Sequence, residues 1–107
     1  MNELLEYLAQ GDHPVIIGGP KPSREELKTR IETIGYVFIK FTDTRGGTDL
    51  GVRVDKAATG VREGDFDDAS GRVHVEGTLT LNYVPVRCIA DIDLATLSGT
   101  GHLVIVK

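Results

Sequence analysis

The feature that most constrains this chain is a long alternation of apolar and polar residues from Arg72 to Lys107. Successive side chains of a β-strand point to opposite faces, so a period of two predicts strands with one buried and one wet face. Up to Val84, one parity is apolar: Val73, Val75, Leu79, Leu81 and Tyr83. The other parity is polar: His74, Glu76, Thr78, Thr80 and Asn82.

The apolar parity reverses after Pro85, which indicates a reset of the register. A two-residue turn at Val84-Pro85 would produce it and would place Tyr83 opposite Val86, whereas a β-bulge at Pro85 in one long strand would give the same reversal. We favour the turn. Proline at the second central position of a tight turn suits a cis peptide, so the Val84-Pro85 bond is a cis candidate, with a trans bond in a wider loop as the default.

Other strands are predicted on both sides of this region. Tyr36 to Phe41 is apolar on both faces apart from Lys40 and predicts an interior strand. The glycine pair in Thr44 to Thr48 predicts a hairpin turn. Ser98 to Gly101 predicts another turn, and His102 to Val106 the closing strand of a meander.

Two helices are predicted in the N-terminal third. Asn2 to Gln10 carries leucines at helical spacing, and a second helix begins at Ser23, which can form a capping box with Glu26. The buried stripe of the second helix is predicted to be Leu27, Ile31 and Ile34. Between the helices, His13 to Pro20 is a short apolar run suited to a strand that covers the sheet or pairs at its edge.

These elements predict an α+β fold, with two N-terminal helices packed on a mainly antiparallel, meander-type sheet of about five to six strands. A length of 107 residues predicts a single α+β domain over residues 1–107, large enough to bury a core without disulfide or metal. The predicted core includes Ile39, Phe41, Leu79, Leu81, Tyr83 and Ile92.

Charge and composition exclude several kinds of partner. The net charge is −4 and the basic residues are scattered, so no nucleic acid partner is expected. No apolar run approaches the roughly 20 residues of a membrane span, and the N-terminus, with Glu3 and Glu6, does not resemble a signal peptide. The single cysteine, Cys88, is predicted to be a small buried hydrophobe in a reducing compartment. We therefore predict a cytoplasmic protein with no membrane partner.

Two segments resemble ligand-binding loops without matching their templates. Gly18 to Arg24 places glycines and cations before a helix, but a capped helix explains it better than an anion site. Asp65 to Gly71 has alternating carboxylates, but Ala69 stands where a calcium loop needs a third ligand. The histidines are not at zinc-ligand spacing, so we predict no metal site and no cofactor.

The candidate ligand-binding residues lie on the polar face of the C-terminal strands: His74, Glu76, Arg87, Asp91 and Asp93. With a turn at Val84-Pro85, Asp93 would lie opposite Glu76. A carboxyl pair of this kind could perform acid–base chemistry if one member were desolvated, although such faces are more often solvated.

No catalytic motif is recognisable, and the sequence does not decide whether the chain is an enzyme. We predict a non-enzymatic binding or accessory protein, either a self-associating domain or a subunit of a larger complex, with a protein partner or a second copy as its partner. The alternative is a small enzyme or small-molecule binder that uses the polar face around His74, Glu76, Arg87, Asp91 and Asp93.

Overall fold

A computed structural model describes residues 3–19, 23–61, 71–81 and 83–106. The elements, in chain order, are α1 (Glu3–Leu8), β1 (His13–Ile17), α2 (Arg24–Thr29), a π-helical turn (Arg30–Ile34), β2 (Tyr36–Phe41), β3 (Thr48–Val54), β4 (Gly60–Val61), β5 (Arg72–Leu81), β6 (Val84–Asp93) and β7 (Ser98–Ile105). The acidic segment Asp65 to Ser70, the proposed helix start at Asn2 and part of the run Gly18 to Arg24 lie outside the described residues.

Six strands form a closed antiparallel barrel in the order β1-β2-β3-β5-β6-β7, with β7 returning to β1. The barrel closes between β3 and β5 through two residue pairs, Arg53 with Thr78 and Val54 with Gly77. The prediction of an α+β fold with helices on one face of a sheet is therefore wrong. The strand β1, predicted to cover the sheet or to pair at its edge, instead lies between β2 and β7 and connects the β2–β3 hairpin to the β5–β7 meander. Closure pairs the two ends of the sheet, so among the described residues free edges of the six strands remain only beyond the paired part of the barrel.

Inward-facing side chains fill the barrel, and the two helices add buried residues to the same core. α1 contributes Leu5 and Leu8 to the core, and α2 with its π-helical turn contributes Leu27 and Ile31. The barrel contributes mainly β-branched and aliphatic side chains: Val15, Ile17, Val37, Ile39, Phe41, Leu50, Val52, Val54, Val73, Val75, Val86, Cys88, Ala90, Ile92 and Leu103. The parity predicted for the inward face of β5 and β6 is confirmed.

The second helix begins as predicted, and its last turn is π-helical. The Ser23 hydroxyl accepts a hydrogen bond from the Glu26 backbone N–H at 3.1 Å. The Glu26 carboxylate accepts bonds from Arg30 at 2.7 and 2.9 Å. The helix then widens, and the Gly35 N–H donates to the Arg30 carbonyl five residues earlier. The wider turn rotates Ile34 away from the buried stripe, so its predicted burial is wrong: it is an exposed residue.

The turn between β5 and β6 lies two residues before the predicted one. β5 ends at Leu81, β6 begins at Val84 opposite it, and Pro85 lies inside β6 opposite Thr80. No cis peptide occurs among the described residues, so the Val84-Pro85 bond is trans. Tyr83 has a positive φ of 68° and is 99% exposed, so its predicted place in the core is wrong.

The turn before β7 also precedes its predicted position. It spans residues 94–97, with Leu97 at φ 57°, and Ser98 to Gly101 belong to β7. Gly99 serves strand packing, because a Cβ there would lie 1.8 Å from the Asp91 carbonyl oxygen.

Three strands continue past the paired part of the barrel. Beyond Thr78, β5 is no longer paired with β3, and beyond Gly101, β7 is no longer paired with β1. We call residues 79–81, 84–86 and 102–106 the β5–β7 extension. Because the extension is covered on fewer sides than the barrel, Leu79 and Leu81 are half-buried and pack against the core rather than within it.

Candidate functional site

Four of the five predicted ligand-binding residues come together on the outer wall of the barrel. His74 and Glu76 lie on β5, and Arg87 and Asp91 lie on β6, all with the outward parity. Asp55, at the end of β3, joins them. We call these five residues the polar cluster.

The polar cluster is a continuous chain of ion pairs and hydrogen bonds. The His74 ring lies between two carboxylates, with Nδ1 2.8 Å from Asp91 Oδ1 and Nε2 2.6 Å from Glu76 Oε2. Arg87 Nε donates to Glu76 Oε1 at 3.0 Å, and its Nη2 donates to Asp55 Oδ2 at 2.8 Å. His74 and Arg87 therefore each join two carboxylates.

Asp55 is the member that sequence reasoning missed. Asp55 lies two residues after the outward-facing Arg53 and so has the same parity. This parity was the only indication in the sequence that Asp55 faces outward. Its backbone N–H donates to the Glu76 carbonyl at 2.8 Å, and its carboxylate accepts from the Ala57 N–H at 3.1 Å. Barrel closure places it beside Arg87, and nothing in the sequence pattern indicated closure.

Asp93 is the predicted site residue that lies apart. It pairs in register with Arg72, while Asp91 pairs with His74. Its carboxylate accepts from the Ala95 N–H at 2.8 Å within the turn. The prediction that Asp93 lies opposite Glu76 is wrong. The turn at Tyr83 shifts the β5–β6 register by an even number of residues relative to the predicted turn. Each side chain therefore stays on the predicted face of the sheet but has a different residue opposite it.

Members of the polar cluster shift one another's pKa values towards the charged forms. Burial lowers the pKa of His74, but hydrogen bonds with Glu76 and Asp91 outweigh it and raise the pKa above its ordinary value. His74, together with Arg87, lowers the pKa of Glu76 despite burial. Arg87 lowers the pKa of Asp55. Since both ring nitrogens of His74 face acceptors, the ring satisfies both only when protonated, and in that state it is neither a general base nor a metal ligand.

We expect a pH-dependent contribution of His74 to stability. Because its pKa is raised in the folded protein, the contribution is complete below the ordinary value of 6.5 and is lost as the pH rises through the raised value. Urea unfolding should show His74→Gln less stable than the wild type at acidic pH, with the difference narrowing towards alkaline pH. A difference that is independent of pH would contradict this role of the charged ring.

A second group of polar side chains lies at the end of the barrel that α1 covers. His13 is buried, with Nδ1 2.8 Å from Asp43 Oδ2 and Nε2 2.9 Å from the Gln10 carbonyl oxygen. The Tyr7 hydroxyl donates to the same Asp43 oxygen at 2.8 Å. The hydrogen bond with Asp43 raises the pKa of His13, against the effect of burial. The group fastens α1 to the barrel, and Asp43, 30 residues away in sequence, could not be predicted as its partner.

The described residues provide neither a metal centre nor a reactive thiol. Within the described ranges, no three His, Cys, Asp or Glu side chains are arranged to hold a metal ion. Cys88 is buried as predicted, and burial raises its pKa to about 12, so it is not a reactive thiol. The described helices are all too short or too polar to cross a membrane.

No protein-family model matches this chain, and no curated protein sequence matches it significantly.

Proposed function

We propose that this chain is a non-enzymatic binding protein that associates with a second copy of itself through the edge of β7 that, within the described ranges, has no strand partner beyond Gly101. The supporting observation is the register of β7. It pairs with β6 as far as Ile105, but its pairing with β1 ends at Gly101. From residue 102 to residue 105, one edge of β7 therefore has no strand partner among the described residues.

The exposed side chains of this edge favour association. Val104, Ile105 and Val106 are 42%, 45% and 43% exposed. Neither proline nor lysine occurs from Ser98 to Val106, and these are residues that commonly protect edge strands from pairing. Two copies of one such edge can pair antiparallel about a twofold axis, which closes the assembly at a dimer.

The side chains of the polar cluster are paired with one another, which favours a binding protein over an enzyme that uses this cluster. The His74 ring nitrogens and the Arg87 guanidinium are already bonded to carboxylates, so a substrate would have to displace those bonds. The alternative, a small enzyme or small-molecule binder at the polar face, remains a prediction with less support, and Asp93 would not belong to its site.

Light scattering over a wide concentration range tests the proposal. We expect the wild type to reach twice the single-chain mass of 11.6 kDa. Val104→Lys should remain monomeric, because it places a charge on the outward face of the open edge. The matched control is Thr100→Lys, since Thr100 is exposed on the same strand and the same face but lies where β1 pairs with β7.

The control variant should dimerise like the wild type. A wild type that stays monomeric at the highest concentration would contradict self-association. Equal dimerisation of wild type and Val104→Lys would show that the β7 edge is not the interface.

A further inference from the structure

A cleft of about 540 Å³ lies on the outer wall beside the point where the barrel closes. β3 and β5 pair only at Arg53 with Thr78 and at Val54 with Gly77, and past these pairs β5 runs on into the β5–β7 extension. Residues of β2, β3, β5 and β6, with Val106 after β7, line the cleft.

Three hydrogen-bond donors form a row across one side of this cleft. Arg53 on β3 is in register with Tyr36 on β2 and with Thr78 on β5. All three line the cleft. A phenol, a guanidinium and a hydroxyl, all hydrogen-bond donors, therefore face the same cleft from adjacent strands.

The charge of Arg53 is not neutralised by the described part of the chain. Arg30 pairs with Glu26, and Arg87 pairs with Glu76 and Asp55, whereas no ion pair or hydrogen bond of the Arg53 side chain occurs among the described residues. No Asp or Glu is among the residues that line the cleft. In a chain of net charge −4, the cleft is a local cationic site.

The rest of the lining is largely apolar. Leu79 and Val86 line the cleft with Pro85 and Val106. The volume of the cleft falls within the range of about 300–1,000 Å³ that is usual for small-molecule sites. An apolar surface beside an arginine fits a ligand that has an apolar body and one carboxylate.

The Tyr36 side chain is held in position by a glycine. Its hydroxyl lies over Gly51, where an added Cβ would be 1.9 Å from the oxygen. Its ring meets Phe38 edge to face, with centroids 5.5 Å apart. Gly51 therefore provides the space that lets Tyr36 lie across β3 at the cleft.

We propose that this cleft binds a small organic carboxylic acid with an apolar tail. The carboxylate accepts hydrogen bonds from Arg53, Tyr36 and Thr78, and the tail packs on Leu79 and Pro85. An arginine binds a carboxylate with two parallel N–H bonds, which fixes the orientation of the ligand. The site shares Val106 with the exposed residues at the end of β7, whereas its three hydrogen-bond donors lie on β2, β3 and β5.

The test is an NMR titration of the ¹⁵N-labelled protein with octanoate, using octylammonium and acetate as comparison probes. We expect octanoate to give saturable shifts at the backbone amides of Arg53 and Leu79. Octylammonium has the tail with the opposite charge and acetate has the charge without a tail, so both should bind more weakly. Absence of saturable shifts with octanoate, or equal affinity for either comparison probe, would overturn the proposal.

Three variants locate the site. Arg53→Gln should weaken octanoate binding about tenfold, the loss expected for one charge-assisted pair. Gly51→Ala should weaken it too, because the new methyl displaces the Tyr36 hydroxyl, whereas Gly60→Ala, with no atom within 4 Å of its Cβ, should bind like the wild type. Arg53 is exposed, so its variant should keep the wild-type spectrum elsewhere. Unchanged affinity in a folded Arg53→Gln would overturn the assignment.

Discussion

Gly77→Ala should destabilise the folded protein by about 3 kcal/mol, at the upper end of the usual cost of overpacking. Gly77 lies in the two-pair closure between β3 and β5. An added Cβ would stand 2.2 Å from the Arg53 carbonyl oxygen and 2.6 Å from Val52 Cγ1. The Arg53 carbonyl oxygen belongs to the backbone and cannot move away unless β3 and β5 separate. We therefore expect the pairing between β3 and β5 to break. Urea unfolding measures the loss.

A control and a local probe accompany this variant. Gly60→Ala meets no atom within 4 Å and should change the unfolding free energy by no more than about 0.5 kcal/mol. In Gly77→Ala, the Asp55 amide should lose its protection from hydrogen exchange, because its hydrogen bond to the Glu76 carbonyl connects the end of β3 to β5. Wild-type stability in Gly77→Ala would mean that the barrel does not close between β3 and β5.

Phe41→Ala should cost about 3–5 kcal/mol, the usual range for removing a fully buried aromatic ring. Phe41 is 0% exposed and points into the barrel at the end that α1 covers. Its ring meets that of His13, with centroids 6.3 Å apart. Denaturant unfolding of the variant measures the loss.

Phe38→Ala is the matched control, because Phe38 lies on the same strand with the opposite parity. It is half-buried on the outer wall, with the Arg30 guanidinium 5.1 Å from its ring centroid. Removing it should cost less than half as much as removing Phe41. Equal costs would show that both faces of β2 are buried, as its sequence had suggested.

The alternation of residues predicted the faces of the strands but not their partners. Val73, Val75, Cys88 and Ile92 point inward as expected. A period of two is unchanged when a strand shifts by an even number of residues, so parity could not distinguish a turn at Tyr83 from one at Val84-Pro85. Tyr83 adopts a left-handed conformation that is uncommon outside glycine, which hid the true turn.

The glycines of the β6–β7 connection led to a wrong prediction of the turn position. The turn before β7 uses Leu97 at a positive φ, while Gly99 lies in the strand where the Asp91 carbonyl approaches closely. The sequence does not distinguish a glycine that allows a close backbone contact from a glycine that forms a turn. The sequence therefore placed this turn too late.

Closure of the barrel was the main property that could not be predicted. It depends on the curvature of the whole sheet and on two residue pairs between β3 and β5 that have no local signature. The shared face of His74, Glu76, Arg87 and Asp91 was predictable from spacing. The contribution of Asp55 was not, because closure alone brings the end of β3 to Arg87.

The most direct test of self-association is hydrogen exchange along β7 at increasing protein concentration. The Val106 N–H donates to the Pro85 carbonyl, and amides alternate in direction along a strand, so the Ile105 N–H points to the open edge and the Val104 N–H points to β6. We predict that exchange at Ile105 slows as the concentration rises, while Val104 and Val106 keep their rates. Equally fast exchange at Ile105 at every concentration would contradict pairing through this edge.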